Sequence, residues 1–183
     1  MIEQQTVITE DEIIKRCQTG DRDAFRSVVE KYQDVLYGTA YLMTGNRTMA
    51  EDHVQEAFLA AWKNISNVRK GYPLKPWLVR ILVNKVLSYQ RTNANTMISL
   101  DANLALDPAG EDPAEDIAQR DQLRRVMQGL SNEQRQVVLL RYFAGLSLAE
   151  TAAALRRPQG TVKSQTSRAL EQLKDLIEDD NKR

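Results

Sequence analysis

The most informative part of the sequence is SLAETAAALRRPQGTVKSQTSRALEQLK, which runs from Ser147 to Lys174. It holds two amphipathic helical patterns separated by the turn RRPQG. Pro158 cannot lie inside a helix, so the two patterns must belong to separate helices. Ser147 and Glu150 have the spacing of a capping box, which predicts that the first helix begins here and ends near Leu155. The second helix is predicted to begin just after Pro158.

The second helix carries a narrow apolar stripe and a wide polar face. At ~100° per residue, its apolar side chains fall within about a third of the circle. The stripe consists of Val162, Thr166, Ala169, Leu170 and Leu173. The preceding helix offers the small residues Ala152, Ala153 and Ala154, which this stripe can approach closely. A short support helix, a tight turn and a helix with an exposed polar face together predict a helix-turn-helix unit.

The polar face of that second helix has the chemistry of a DNA-reading surface. Lysine and arginine can neutralise phosphates or donate to guanine, serine and glutamine can pair with base edges, and helix N-terminal amides can hold a phosphate. The candidate DNA-binding residues are Arg157, Thr161, Lys163, Ser164, Gln165, Ser167 and Arg168. An ordinary solvated surface helix would show the same pattern, so the pattern alone leaves both interpretations open.

The amino-acid composition limits the classes of protein to which the chain can belong. The chain has 183 residues, of which 42% are apolar and 27% charged, and it contains only eight glycines and five prolines. These values, with no hairpin pattern, predict an all-α protein of two small helical domains. Cys17 is the single cysteine, which excludes an internal disulfide and a Cys-rich zinc site. No run approaches about 18 apolar residues and the N-terminus is too polar for a signal peptide, so we expect a cytoplasmic protein.

Charge is strongly segregated along the chain although the net charge is zero. Residues 57–100 carry seven bases and no acid, residues 101–119 carry six acids and no base, and residues 156–168 carry four bases and no acid. A charge run is most simply a solvated face. Two basic blocks around an acidic one nevertheless make a nucleic-acid partner plausible where the net charge does not.

The chain divides into two helical segments joined by an acidic one. Residues 10–95 have apolar residues at three- and four-residue steps, interrupted by Gly45 and by the loop RKGYPLKP over 69–76. Residues 96–117 hold two prolines, a glycine and many acids, and are predicted to form a flexible acidic linker. Because this linker could span roughly 75 Å when extended, the flanking domains need not touch. Residues 118–180 are predicted to form the second domain.

Individual helices follow from caps and periodicity. In the first domain they are predicted over 11–17, 24–43, 49–65 and 77–90. In the second domain one helix is predicted over 117–130. Ser131 and Gln134 have capping-box spacing and open the next helix, which is predicted to end near Phe143.

An enzyme is not indicated by any motif. His53, which is interpreted as lying on a helical surface, is the only histidine, so every Ser–His or Cys–His site would depend on it. There is no phosphate-binding loop, dinucleotide fingerprint or metal-ligand cluster. We therefore predict no catalytic residue, cofactor or metal. Cys17 is interpreted as an inert core thiol and Trp62 as a core residue, whereas Trp77 could either stack on a nucleic-acid strand or pack internally.

Three motifs make the sequence resemble the sigma factors of bacterial RNA polymerase, in their extracytoplasmic-function (group IV) branch. GLSLAETAAALRRPQGTVKSQTSRALEQLK resembles the unit that reads the promoter −35 element, and its hallmark GTVKS stands at 160–164. AEDHVQEAFLAAWKNI, over 50–65, resembles the polymerase-binding helix. KPWLVRILVNKVLSYQR, over 75–91, resembles the segment that opens and reads the −10 element. The resemblance covers about residues 11–175.

The resemblance implies partners and site residues. It implies that the first domain binds the β′ clamp helices of core polymerase, that the β flap is a further contact, that promoter DNA is bound, and that an anti-sigma factor regulates the protein. On the −35 DNA it places Lys163, Ser164 and Arg168, with Thr161 near the backbone. Near the melting −10 strand it places Trp77, Arg80, Asn84 and Lys85, together with the preceding loop that contains Lys75. Against polymerase it places Asp52, Gln55 and Glu56, which also share one helical face by spacing.

Two residues depart from the family pattern. Gln165 stands where many relatives have a second arginine, and His53 stands where an apolar residue is usual.

Two other functions are compatible with the sequence. One is a two-domain regulator that uses the same helix-turn-helix without polymerase, and the other is an interaction adaptor with no DNA contacts. Transcription in vitro with core polymerase distinguishes all three.

Overall fold

The computed structural model describes residues 9–94, 127 and 129–180, and no β-strand occurs among them. The prediction of an all-α protein is thus confirmed. The described helices are α1 (Glu10–Gln18), α2 (Arg22–Thr44), α3 (Arg47–Asn64), α4 (Leu74–Ala94), α5 (Asn132–Val138), α6 (Leu148–Leu155) and α7 (Gln159–Asp180). A 3₁₀ turn (Ile65–Asn67) follows α3, and a π-helical turn (Leu139–Phe143) continues α5. The predicted linker, and all but three residues of the helix predicted over 117–130, lie outside the described residues.

Local caps place the helix ends largely where the sequence predicts them. The Ser147 N–H donates to Glu150 Oε2 over 2.7 Å and the Glu150 N–H donates to Ser147 Oγ over 3.2 Å, which completes the capping box of α6. The capping box of α5 at Ser131 is also present. Gly45, with φ of 66°, ends α2. The loop prediction was wrong at its end, because α4 begins at Leu74 and accepts Pro76 in its first turn, where a missing N–H costs little.

The Glu10 carboxylate is one of the groups that hold helix α1 to the rest of the first half. Glu10 Oε1 accepts hydrogen bonds from Lys31 Nζ at 2.7 Å and from the Tyr32 hydroxyl, while Glu10 Oε2 accepts from the Leu74 N–H at 3.3 Å. Partial burial acts to raise the pKa of Glu10, but these hydrogen bonds outweigh it and hold the pKa below its ordinary value. The start of α1 is therefore joined to both α2 and α4.

His53 is buried, which corrects its interpretation as a surface residue. Its side chain is 7% exposed, and neither ring nitrogen has a hydrogen-bond partner among the residues that the structure describes. The predicted apolar face of α3 (Val54, Phe58, Ala61 and Ile65) is buried as expected. His53 lies at the edge of that face, and α4 covers it through an edge-on ring contact with Tyr89 whose centroids are 5.1 Å apart. Helix periodicity alone does not reveal that α4 packs over His53.

The two halves of the chain share a hydrophobic core, a placement that the sequence had left open. Helix α6 packs against α4, and the π-helical turn packs against α2. The residues of the second half that join the core of the first are Val137, Leu140, Ala144, Leu146, Ala152, Ala154, Leu155 and Val162. At the same junction the Phe143 ring lies against Gly38, where a Cβ would come within 2.8 Å of Phe143 Cε1. Glycine at position 38 therefore makes room for an aromatic ring.

Candidate nucleic-acid and protein interfaces

Helix α7 presents the predicted polar row to solvent. Thr161, Lys163, Ser164, Ser167 and Arg168 are all exposed. Neither of the two cations forms an ion pair with another residue that the structure describes. The Ser164 hydroxyl donates to the Thr161 carbonyl over 3.0 Å and the Ser167 hydroxyl donates to the Lys163 carbonyl over 3.2 Å. Each hydroxyl oxygen keeps free lone pairs, so the row offers both cationic donors and acceptors to a ligand.

The opposite face of α7 is anchored in the second half. Val162 and Ala169 are fully buried, and Thr166 is buried with its hydroxyl donating to the Val162 carbonyl. Leu170 was predicted to be buried but is 41% exposed, because it lies at the edge of the apolar stripe. In α6, Ala152 and Ala154 are buried as predicted, whereas Ala153 is exposed on the far side of the helix.

The turn before α7 is held by side chains as well as by backbone. Arg156 ends α6 in the left-handed conformation, with φ of 54°. The Arg157 N–H donates to the Ala152 carbonyl over 3.0 Å. The Arg157 guanidinium donates to Gln165 Oε1 at 3.2 Å and to Gln136 Oε1 at 3.1 Å. Two of the candidate DNA-binding residues, Arg157 and Gln165, are thus bonded to each other and connected to α5.

The predicted −10 residues lie along α4 in different surroundings. Trp77, Arg80 and Asn84 are spaced three and four residues apart and share one face of the helix. Arg80 is exposed, whereas Trp77 is half-buried and packs against the core. Lys85 is paired with Glu56 of α3. Lys75 Nζ faces the second half and lies 3.3 Å from where a Cβ of Gly145 would stand.

The predicted polymerase face on α3 also includes an apolar residue that sequence reasoning missed. Asp52, Gln55 and Glu56 are exposed on one side of α3, as their spacing predicted. Leu59, one turn further along, lies among them on the helical wheel and is 61% exposed. Its position three residues after Glu56 was the available signal, since an apolar side chain is unusual in the middle of a polar face.

Leu59 and Gln55 border a groove between α2 and α3. The groove has a volume of about 530 Å³. It is lined by Arg22, Phe25, Val29, Gln55, Phe58, Leu59 and Trp62. The rings of Phe25 and Trp62 meet edge-on with centroids 5.0 Å apart and form part of its wall. Trp62, predicted as core, is half-buried and serves both the core and this groove.

Among the residues described, no group of three or more His, Cys, Asp or Glu side chains could hold a metal ion. None of the described helices is long and apolar enough to cross a bilayer.

Comparison with known proteins identifies the class to which these interfaces belong. The family profile of Sigma-70 region 2 matches residues 28–96, and that of Sigma-70 region 4 matches residues 120–173. The chain is 32% identical over 180 residues to the ECF RNA polymerase sigma factor SigW of Bacillus subtilis, covering 91% of this chain and 95% of SigW. It is 31% identical over 175 residues to the ECF RNA polymerase sigma factor BldN of Streptomyces coelicolor, covering 92% of this chain but only 66% of BldN. The chain belongs to the extracytoplasmic-function (ECF) sigma factors of RNA polymerase.

Solved structures have the same fold. CnrH in complex with the cytosolic domain of CnrY has a TM-score of 0.70 at 23% identity, covering 93% of this chain and 98% of that one. The sigma factor RpoE of Bartonella quintana, in complex with the anti-sigma factor NepR, has a TM-score of 0.70 at 26% identity, covering 84% of this chain and 96% of that one.

Proposed function

We propose that the protein is a group IV sigma factor, a dissociable subunit that binds core RNA polymerase and directs it to promoters by recognising −10 and −35 elements. The observation that carries this proposal is the exposed row on α7, where Lys163, Ser164 and Arg168 face solvent on a helix anchored by its other side. The protein acts with polymerase in the cytoplasm and is an initiation factor, with no enzymatic activity of its own.

Core polymerase binds to the α3 face. Asp52, Gln55 and Glu56 supply polar contacts to the β′ clamp helices, and the neighbouring groove beside Leu59 accepts apolar side chains. Burying an exposed leucine in an interface is favourable because it removes apolar surface from water. The second half supplies a further contact to the β flap.

The −10 strand is held along α4. Trp77 and Arg80 lie next to each other on its surface, which suits an aromatic platform beside a cation for a displaced base. Asn84 continues this face and Lys85 borders it. Lys75, at the start of α4, joins them when the second half moves away from it.

Promoter binding requires the two halves to separate. Elements about 25 base pairs apart are about 85 Å apart along B-DNA. Two halves that share one hydrophobic core cannot reach both elements at once. The linker over 96–117, which can span roughly 75 Å, has the length to let each half bind at its own element.

Core polymerase supplies much of the promoter affinity. The reading unit of the second half carries only four bases over 156–168, so phosphate attraction by the free protein is modest. Holding both halves on one polymerase raises the effective concentration of each at its element. Gel-shift titrations with and without core polymerase should show much tighter binding in its presence. Equal affinity in both titrations would contradict this mechanism.

An anti-sigma factor regulates the protein. The RpoE structure, which contains the anti-sigma factor NepR, supports this part of the proposal through its similar fold and 26% identity. Affinity purification of the chain from its native host should recover a stoichiometric protein partner other than polymerase subunits. Recovery of polymerase alone would argue against such regulation.

Transcription in vitro with core polymerase is the decisive experiment for the function as a whole. A sigma factor should convert core polymerase from non-specific to promoter-specific initiation. A regulator that works without polymerase as its obligate partner, or an adaptor that binds no DNA, would leave core polymerase non-specific. That result would overturn the proposal.

A further inference from the structure

Arg157 connects a buried glutamine of α5 to a glutamine on the reading helix. Its Nη2 donates to Gln136 Oε1 at 3.1 Å and its Nη1 donates to Gln165 Oε1 at 3.2 Å. Gln136 is only 6% exposed, and its Nε2 lies 3.5 Å from Asn132 Oδ1 on the same helix. The buried Gln136 therefore fixes the position of the Arg157 guanidinium, and the guanidinium in turn orients Gln165.

The chemistry of the guanidinium determines which end of the Gln165 amide faces outward. Arginine has five N–H donors and no acceptor, so only the amide oxygen of Gln165 can bond to Arg157. Because Oε1 is directed at Arg157, the Nε2 amide nitrogen, which is a donor only, is the end of the side chain left for a ligand. Gln165 is half-buried and lies one helical turn from the exposed residues Thr161 and Arg168. It therefore stands at the border of the DNA-reading row.

A glutamine whose Oε1 is bonded to Arg157 does not recognise all four bases equally well. The paired contact of glutamine with adenine uses the amide oxygen and the amide nitrogen together, to N6 and N7. Guanine presents two acceptors in the major groove, N7 and O6, and thymine presents O4. Cytosine presents only a donor. With Oε1 directed at Arg157, the Nε2 donor of Gln165 favours guanine, which has two acceptors, can use the single acceptor of thymine or adenine, and disfavours cytosine.

We propose that Arg157 is a positioning residue that holds Gln165 as a donor-only reader of one base of the −35 element, selecting guanine at that position. This inference rests on the proposed function. It assigns Arg157 to the orientation of Gln165 and not to the DNA backbone. It also gives a specific role to a residue at which this chain departs from the usual arginine of its relatives.

The first test replaces the Gln165 amide with a carboxylate of nearly the same size and shape. Holoenzyme is assembled from core polymerase and either the full wild-type chain or Gln165→Glu, and bound promoter fragments with a randomised −35 region are sequenced. The glutamate can still accept from Arg157 but has no donor. The position read by residue 165 is the one at which the two selections differ. There we expect wild type to enrich guanine over cytosine about tenfold and the variant to lose or reverse that preference.

The second test separates positioning from phosphate binding. Arg157→Met removes the guanidinium, which frees the Gln165 oxygen, so the preference of guanine over adenine at that position should fall about tenfold. The salt dependence of promoter binding should stay unchanged. A phosphate contact predicts the opposite, namely uniform weakening on all sequences and a salt slope smaller by about one. Arg157→Lys keeps the charge but replaces the rigid planar guanidinium with a single ammonium on a flexible stem, so it should orient Gln165 less firmly and shift the base preference in the same direction as Arg157→Met.

The outcomes distinguish this inference from the function on which it rests. A wild-type holoenzyme that enriches no −35 sequence would overturn the proposed function. Three results would overturn the role of Arg157 and Gln165 alone: enrichment of adenine at the position read by residue 165, identical selections by wild type and Gln165→Glu, or a salt slope smaller by about one in Arg157→Met. Thermal melting of each variant shows whether it is folded, and Gln165→Glu tests the inference even if the Arg157 variants do not fold.

Discussion

Lys85 Nζ lies 3.1 Å from Glu56 Oε2, an ion pair that joins α4 to α3. It connects a residue proposed to act at the −10 strand with one proposed to bind polymerase. The side chains are 33% and 56% exposed, so solvent screens the pair and its contribution to stability is small. Substitutions at either position can therefore report on function with little effect on folding.

Lys85→Gln should impair promoter opening without unfolding the protein. Removing one partner of an exposed pair should change the free energy of unfolding by less than about 1 kcal/mol. Loss of a cation beside the displaced strand should reduce open-complex formation, measured by permanganate reactivity of unpaired thymines. Lys63→Gln, an exposed lysine on α3, is the matched control. Equal opening by both variants would remove Lys85 from the −10 site.

Leu59→Ser should weaken binding to core polymerase by about tenfold, because a central apolar contact is lost from the α3 face. Affinity can be measured by competition with a labelled sigma factor. Ile177→Ser is the control, since Ile177 is also an exposed apolar residue, 44% exposed on α7, outside the α3 face. Glu56→Arg should weaken the same interaction and leave DNA binding by the second half intact. Undiminished capture of core by Leu59→Ser would show that the groove is not part of the interface.

His53→Leu should stabilise the protein by about 1–2 kcal/mol. Both ring nitrogens of His53 are buried, and neither has a hydrogen-bond partner within the described part of the chain. A buried polar group in that state carries a desolvation cost that leucine avoids. Urea unfolding of the two proteins measures the difference. A less stable leucine variant would mean that the ring contact with Tyr89 outweighs this cost.

Gly38→Ala should stabilise the protein less when Phe143 is present than when it is absent. With Phe143 present, the new Cβ must displace the ring. In a Phe143→Ala background, only the gain of helix propensity remains, about 0.5–1 kcal/mol. The four proteins of this double-mutant cycle can be compared by urea unfolding. Additive effects would show that Phe143 does not lie on Gly38 in solution.

Glu10→Gln should flatten the loss of stability in acid. The pKa of Glu10 is held below its ordinary value of 4.5, so its carboxylate contributes fully above that value and the contribution is lost as pH falls through the lower folded-state pKa. Between pH 6 and pH 3, wild type should lose more unfolding free energy than the variant. Parallel curves would show that Glu10 does not bond to Lys31, Tyr32 and Leu74 in solution.

Features that depend on neighbours in the chain were predictable. The capping boxes at Ser131 and Ser147 and the helix end at Gly45 each involve a few consecutive residues, so residue type and spacing suffice to locate them. The wide polar face of α7 follows from helical periodicity in the same way. The edges of apolar stripes were less predictable, as at His53 and Leu170, because a neighbouring helix decides whether an edge position is covered.

Residue types and their spacing were enough to predict a helical protein, a helix-turn-helix unit over 147–174 and the polar residues of its second helix. Three features became visible in the packed structure alone: the core shared by the two halves, the groove beside Leu59, and the bonds of Arg157 to Gln136 and Gln165. The difference is one of distance along the chain. Caps and periodicity act over about four residues, whereas a side-chain contact between separate helices depends on how the whole chain packs.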